Sequence, residues 1–497
     1  MTEWDRALNY IDGRWEEGSS GEFAENINPA TNEVLGTVTL STTEDVNRAV
    51  RAAEAAFRKW RLVPAPRRAQ VLYRVGELLR QRKEQLARIL TQEMGKVLEE
   101  ARGEVQEAID MAFYMGGEGR RLFGQTTPSE LPNKMALSVR EPVGVVGLIT
   151  PWNFPIAIAS WKSLPAIVAG NTVVWKPATE TPFMAREFVK IYEEAGLPPG
   201  VLNLVYGSGS VVGEALVEHP GVQVISFTGS NEVGRSIAAK AGARLKRVSL
   251  EMGGKNAVIV MDDANMSLAV DAILWGAFGT TGQRCTATSR VIVHRSVKAQ
   301  LEQMLLDRIP GLPIGNGLDE HVRIGPVINA VSLRRIHDYV QIGLQEGARL
   351  LTGGHTVEPS GLRGFYYAPT VFTDATADMR IAQEEIFGPV VTLIPVDSLE
   401  DAIQVNNRVA FGLSSSIFTQ DVNRVFTAMR DLDTGIVYVN AGTTGAEIHL
   451  PFGGTKGTGN GHRDSGQAAL DVFTEWKSIY VDFSGTLQRA QIDVGNV

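Results

Sequence analysis

From Gly144 onward the chain repeats one texture, a short apolar run followed by an amphipathic stretch and then another apolar run, and that alternation leaves few folds open. The runs fall at 145–149, 172–175, 202–205, 222–227 and 247–250, and helix-like stretches at 156–168, 183–195, 211–219 and 231–241 separate them. Strands too apolar to face water, joined by helical crossovers, predict a parallel sheet covered on both faces, a doubly wound α/β domain. A second alternating region starts at Ala257-Val258-Ile259-Val260 and passes through strands at 291–293 and 390–396 and a helix near 299–308. It closes at Ile436-Val437-Tyr438-Val439, so a second α/β domain is expected over about 255–455. Before the first domain, 42–124 carries apolar residues at helical spacing, Val71, Val75, Leu78, Leu79, Leu86 and Leu90 among them, and predicts three helices. An edge hairpin is expected at Ile11-Asp12-Gly13-Arg14-Trp15, and the mixed polar tail from Tyr480 is expected to pack on this chain or pair with another.

Two or three domains need length and apolar content, and 497 residues at 44% hydrophobic supply both. Lys and Arg number 48 against 56 Asp and Glu, a net charge of −8, so neither nucleic acid nor an anionic membrane surface is an expected partner. The longest uncharged run, 142–161, is interrupted by Pro142, Pro151 and Pro155 and reads as buried strand and turn rather than a membrane span. The charged N-terminus Met-Thr-Glu-Trp-Asp-Arg has no apolar leader core, which gives a cytoplasmic location as the expectation. One cysteine, Cys285, serves the whole chain; no intramolecular disulfide can form, and no metal site is expected.

A lone cysteine is most often a small buried hydrophobe. Here it stands in Gly279-Thr280-Thr281-Gly282-Gln283-Arg284-Cys285-Thr286, a polar glycine-bearing stretch, and Arg284 beside the sulfur would favour thiolate. The seven histidines are scattered, so a base for this nucleophile is sought among carboxylates. Glu251, in Leu250-Glu251-Met252-Gly253-Gly254-Lys255, follows an apolar strand and so sits at the carboxyl end of the sheet, where open α/β folds bind ligands; a solvated turn is its bland alternative. Thr150-Pro151-Trp152-Asn153-Phe154-Pro155 follows another strand in the same way and presents an amide. Two glycine patterns compete for a dinucleotide, Gly207-Ser208-Gly209 with Gly213, and Gly229-Ser230 with Gly234; spacing alone does not choose between them.

Taken together these segments resemble the aldehyde dehydrogenase superfamily. Thr150 to Pro155, Trp175-Lys176-Pro177, 227–234, 250–255, Gly282 to Cys285, Glu384-Glu385-Ile386-Phe387-Gly388-Pro389 and Pro451-Phe452-Gly453-Gly454 follow the family's order, and Glu251 and Cys285 stand 34 residues apart, as in the family. The resemblance implies an NAD(P)-binding domain from 1–122 and 143–254, a catalytic domain at 255–455, and oligomerisation segments at 123–142 and 478–497, with 456–477 returning to the cofactor domain. It implies a homodimer or homotetramer. It makes Cys285 the nucleophile, Asn153 an oxyanion donor, Glu251 the base that activates water, and Lys162 part of the active-site scaffold. Thr150, Trp152, Lys176, Thr179, Gly229, Ser230, Gly234, Glu385 and Phe387 become cofactor-binding, which reduces the Gly207 pattern to a turn.

Two positions depart from the common pattern. Thr179 stands where many NAD-preferring relatives carry a glutamate that repels a 2′-phosphate, so NAD is expected with NADP possible. Asp464 stands in place of a longer glutamate as a candidate proton relay. Gly445-Ala446 resembles the substrate-anchoring loop of semialdehyde dehydrogenases, and with Arg284 and Phe452 it points to a carboxylated semialdehyde, of the glutamate, 2-oxoglutarate or succinate type. A broad-specificity aldehyde dehydrogenase is the alternative. Glu251 argues against a CoA-acylating enzyme, and the joint presence of Cys285, Asn153 and Glu251 argues against a non-catalytic, dehydrogenase-shaped binding protein; a cofactor-free cysteine hydrolase is a third rival.

Overall fold

The computed structural model describes residues 4–493; the ends of the first expected segment, 1–3, and of the tail, 494–497, lie outside the described residues. Where three helices are expected the chain forms four: α1 (Thr43–Trp60), α2 (Ala65–Gln81), α3 (Lys83–Met94) and α4 (Leu98–Glu118). Val71, Val75, Leu79, Leu86 and Leu90 are all buried. The apolar phase continues across Arg82, which leaves helical geometry with φ −104° and ψ 10° without any glycine or proline to mark the break. α1 starts at a capping box between Thr42 and Asp45, and α3 stops where Gly95 turns left-handed at φ 90°.

The first sheet has seven strands in the order Arg247–Glu251, Val224–Thr228, Val145–Ile149, Thr172–Lys176, Leu202–Leu204, Asn9–Ile11, Arg14–Glu16. The first five are parallel, and the last two form the expected edge hairpin. Chain order runs outward from Val145–Ile149 on one side and then returns to its other side with Val224–Thr228. The loops after these two strands therefore flank the crevice where open α/β sheets take their ligands. α5 (Ala157–Ala169) and α6 (Pro182–Glu194) cover one face, and a second helical layer of α7 (Glu214–Glu218) and α8 (Asn231–Gly242) belongs to the other core. The run 142–161 is a strand, a turn and the opening of α5, and among the described residues no helix is long and apolar enough to cross a membrane.

Five residues after Glu251 the second sheet begins with Asn256–Val260, in the order Arg349–Thr352, Thr370–Thr373, Val390–Val396, Thr288–His294, Asn256–Val260, Ser414–Phe418, Ile436–Val439. Only Arg349–Thr352 is antiparallel. Because the linker 252–255 is so short, the amino ends of this sheet's strands meet the carboxyl ends of the first, and α9 (Met266–Phe278) delivers the cysteine loop into the seam. A third, antiparallel sheet joins Gln125–Pro128, Lys134–Pro142 and Thr474–Asp482. Its last strand begins four residues before the expected boundary at 478 and leaves Trp476, Tyr480 and Val481 about half exposed or more.

Candidate active site

Three loops from three sources meet in the seam. Strand Val145–Ile149 ends at Thr150, whose hydroxyl accepts from Trp175 Nε1 at 2.8 Å, and the turn beyond it buries Asn153 to 4% exposure. Asn153 Nδ2 donates to the backbone carbonyl of Gln283 at 3.0 Å, so the amide is tied to the cysteine loop two residues before Cys285; its Oδ1 is buried without a partner among the described residues. That loop is held in costly geometry, with Thr280 and Thr281 both left-handed at φ 50° and 57°. Glu100 of α4 stabilises it by accepting from Thr280 N at 2.9 Å and Thr280 Oγ1 at 3.0 Å, while Thr281 Oγ1 donates to Gly325 O at 2.9 Å.

Cys285 is partly buried, and desolvation pushes its thiol up to about 12, with the Glu385 and Glu251 carboxyls adding to the effect. The expectation that Arg284 favours thiolate is therefore corrected. The guanidinium turns away to Glu100 at 3.2 Å, donates through Nε to Thr280 Oγ1 at 2.9 Å, and lies over the Trp275 ring at 4.9 Å.

Glu251 ends its strand only 3% exposed, with both carboxyl oxygens buried and unpartnered among the described residues, so it is no solvated turn. Burial raises its pKa well above the ordinary carboxylate range and Asp464 raises it further, against the pull of Lys162 and Arg463. Lys162, projecting from α5, has a fully buried side chain that bonds Asp464 Oδ2 at 2.7 Å and Ser226 Oγ at 3.1 Å. Asp464 reaches this point because its backbone pairs in both directions with Phe452, at 2.7 and 2.8 Å.

Cys285, Glu251, Asp464, Arg284, Gly445, Ala446 and Phe452 line one cavity of about 440 Å³. Its wall is aromatic, with Trp161 packed edge-on to Phe452 at 4.8 Å, and Arg284 is the one cation among the described lining residues. Thr444, Gly445 and Ala446 line the cavity, and Gly445, at φ 106°, holds a conformation other residues avoid. Sequence reasoning missed the α4 contribution: Glu99, Glu100, Glu104 and Glu107 all reach this cavity, and burial lifts Glu107 to about 8. The available signal was acids at 100, 104 and 107 on a helix whose buried face includes Ala101, Val105 and Ala108.

The candidate cofactor residues gather at the first sheet's switch point. Ser230 is exposed and caps α8 by accepting from Val233 N at 3.4 Å, leaving a helix N-terminus open at the crevice. A side chain at Gly234 would run into Met252 and Phe227, so glycine there lets α8 pack close to the sheet; a Cβ at Gly229 would meet the Phe227 ring. Lys176, 7% exposed, bonds only the Pro177 carbonyl among the described residues, at 3.0 Å, and burial pulls it down to about 8 against the attraction of Glu180. Glu385 accepts from Gly254 N at 2.9 Å, and burial lifts it to about 6. Phe387, left-handed at φ 59°, meets the Trp152 ring edge-on at 5.7 Å. An under-partnered lysine, a buried carboxyl and an open helix end suit a dinucleotide's hydroxyls and pyrophosphate. The Gly207 pattern is more than a turn, since Ser208 caps a helical turn at Gly209–Gly213 that runs into α7. Thr179 stands apart, lining a separate cavity of about 420 Å³ with Asn26, Glu180 and Asn329.

The model of the family described as "Aldehyde dehydrogenase family" matches residues 15–479. The chain is 47% identical over 483 residues to the alpha-ketoglutaric semialdehyde dehydrogenase of Bacillus subtilis, covering 97% of this chain and 99% of that one. It is 44% identical to the alpha-ketoglutarate semialdehyde dehydrogenase of Haloferax volcanii, over 96% and 99% of the two chains. Among solved structures, the betaine aldehyde dehydrogenase of Staphylococcus aureus in complex with NAD+ superposes with a TM-score of 0.94 at 36% identity, over 97% of this chain and 96% of that one.

Proposed function

The chain belongs to the aldehyde dehydrogenase family, and from that premise we propose that it oxidises a carboxylated semialdehyde of the 2-oxoglutarate semialdehyde type to the dicarboxylic acid with NAD. The observation that carries the substrate class is Arg284, the one cation on the described wall of an otherwise apolar and acidic cavity. Its guanidinium has five N–H donors. Glu100 and Thr280 engage it from one side. A substrate carboxylate would take remaining donors together with backbone N–H groups of 445–446. The names of relatives at 47% and 44% identity support the same class.

In this reading the Cys285 sulfur adds to the aldehyde carbon, and the Asn153 Nδ2 hydrogen not given to Gln283 meets the oxyanion with the Cys285 backbone N–H. NAD, when bound, would supply the hydride acceptor. Lys176, Ser230, Glu385, Phe387 and Trp152 would hold that cofactor, with Gly229 and Gly234 allowing close approach and Thr150 fixing the turn. The resulting thioester is hydrolysed by water whose proton Glu251 takes, and Asp464 with Lys162 sets how readily Glu251 does so. Burial opposes charge on both the Cys285 thiol and the Glu251 carboxyl. We assign a homo-oligomer to this chain on the exposed apolar side chains of Thr474–Asp482.

The test compares kcat/KM for 2-oxoglutarate semialdehyde and pentanal, which share a five-carbon chain. Wild type should favour the acid by at least about tenfold, about 1.4 kcal/mol, and Arg284→Met should erase the difference. Equal values in wild type would instead indicate a broad-specificity aldehyde dehydrogenase with an aromatic tunnel.

A further inference from the structure

Two buried charge clusters hang from α4, and each ends on one of the loops that meet over the cysteine. Lys96, in the turn between α3 and α4, lies 2.5 Å from Glu104 Oε2, and both side chains are fully buried. The same ammonium donates to the backbone carbonyl of Asn153 itself at 2.7 Å and sits 3.6 Å from the centroid of the Phe154 ring. Glu104 Oε1 accepts from the backbone N–H groups of Ile156 at 3.0 Å and Ala157 at 3.3 Å, placing a carboxylate at the positive end of α5. One turn earlier Glu100 grips Thr280 and Arg284 in the cysteine loop. Residues four apart on a helix share a face at a rise of about 6 Å, so both loops are referenced to one rigid rod.

Stability alone does not account for these charges. Well-packed apolar side chains in place of a buried ion pair are often neutral or stabilising. What an apolar pair cannot do is fix one chosen carbonyl and two chosen N–H groups. Resting on the reading of Asn153 as an oxyanion donor, we propose that Lys96 and Glu104 are positioning residues: they hold the Asn153 backbone while Glu100 holds the Thr280 turn, and α4 thereby sets the gap between the Asn153 amide and the Cys285 sulfur. The Asn153 to Gln283 hydrogen bond at 3.0 Å closes the frame between the two loops. Misplacing such a donor by about 1 Å can cost about 10²-fold in rate, so the frame has kinetic weight without touching substrate.

The deciding variant is Lys96→Met with Glu104→Gln, which removes the donor to Asn153 while Gln keeps an acceptor for Ile156 and Ala157. It is examined in the full enzyme by CD melting, by NAD titration and by the single-turnover rate of NADH formation, alone and in an Asn153→Ala background. The folded variant should bind NAD within about twofold of wild type and keep the aldehyde KM within about threefold, yet form NADH at least about tenfold more slowly. Added to Asn153→Ala, it should cost less than about a further twofold, because both changes remove one interaction. A merely structural role would lower melting temperature and leave the single-turnover rate per active site alone; a rate within about twofold of wild type, or full multiplication with Asn153→Ala, overturns the proposal. If Asn153→Ala itself forms NADH at the wild-type rate, the oxyanion reading fails and this proposal with it. Should the double variant not fold, Glu104→Gln alone, which weakens the hold on Lys96, is judged by the same two rate criteria.

Discussion

Asp464→Asn should move the acid limb of turnover toward lower pH, and Lys162→Met should move it the other way. Glu251 is lifted first by burial and next by the Asp464 carboxylate, while Lys162 and Arg463 oppose the rise. Removing Asp464 deletes a like charge and also leaves Lys162 unneutralised beside Glu251, so both consequences lower the Glu251 pKa. Removing Lys162 deletes the nearest compensating cation and leaves Asp464 unpaired, so both raise it. A like or opposite charge in such a site is worth about one pKa unit or more, about 1.4 kcal/mol between the two protonation states. The assay is kcat against pH from about 5.5 to 9.5, with a pre-steady-state burst establishing that deacylation limits turnover. A limb displaced in the same direction by both variants, or by neither, would refute the assignment of Glu251 as the titrating base. Stability gives an independent reading. The pair is 2.7 Å apart with side chains 0% and 4% exposed, so breaking it from one side should cost about 3–5 kcal/mol, seen as faster heat inactivation. Lys162→Met combined with Asp464→Asn should recover most of that loss.

Three further outcomes follow from the same site. Because burial holds the Cys285 thiol near about 12, roughly one molecule in 10⁴ carries thiolate at pH 8, and iodoacetamide should label the free enzyme about tenfold faster per pH unit from 7 to 9.5; a plateau near 8.5 would refute the burial argument. Glu251→Gln should keep the NADH burst and lose about 10²-fold or more in steady-state turnover, and it should flatten the loss of stability as pH rises above the ordinary carboxylate range. The sign follows from a folded pKa above the ordinary value of 4.5: the contribution is complete below that value and is lost as pH rises through the folded one. Thr179→Glu should raise the ratio of kcat/KM for NAD over NADP; an unchanged ratio would remove Thr179 from the ribose, as its place in a separate cavity beside Glu180 would then explain.

What the sequence made legible, and what it did not, divides along a physical line. Strands such as Val145–Ile149 and Val390–Val396 were readable because burial on both faces demands uninterrupted apolar runs, and the run itself carries that information. The position of Glu251 was readable for a related reason: a polar residue that ends such a run has to stand at the sheet's edge. The break at Arg82 was not, because the apolar period continues in phase on both sides of it. Short or mixed elements of the second sheet, among them Thr370–Thr373 and Ser414–Phe418, were also missed, since threonine and serine dilute the apolar signal although every residue of both strands is buried.

The hardest case is α4, and it shows why residue type alone misleads at a site. An acid every three or four residues on a helix is ordinarily a solvated face, and on that rule Glu100, Glu104 and Glu107 would point to water. They instead share the helix with buried Ala101, Val105 and Ala108 and point into a wall built by loops more than 45 residues away in sequence, at 153–157 and 280–284. Charge becomes tolerable at Glu104 and Glu100 because each finds a fixed partner, Lys96 for Glu104 and Thr280 with Arg284 for Glu100, whereas burial lifts Glu107 to about 8. Arg284 was misread for the same reason. Adjacency to Cys285 in the chain suggested that it acts on the sulfur, yet Glu100 and the Thr280 hydroxyl hold its guanidinium. Its effect on chemistry then has to be exerted through the substrate rather than the thiol. That is why an Arg284 variant should change which aldehyde is preferred while leaving the pH dependence of thiol alkylation where wild type has it.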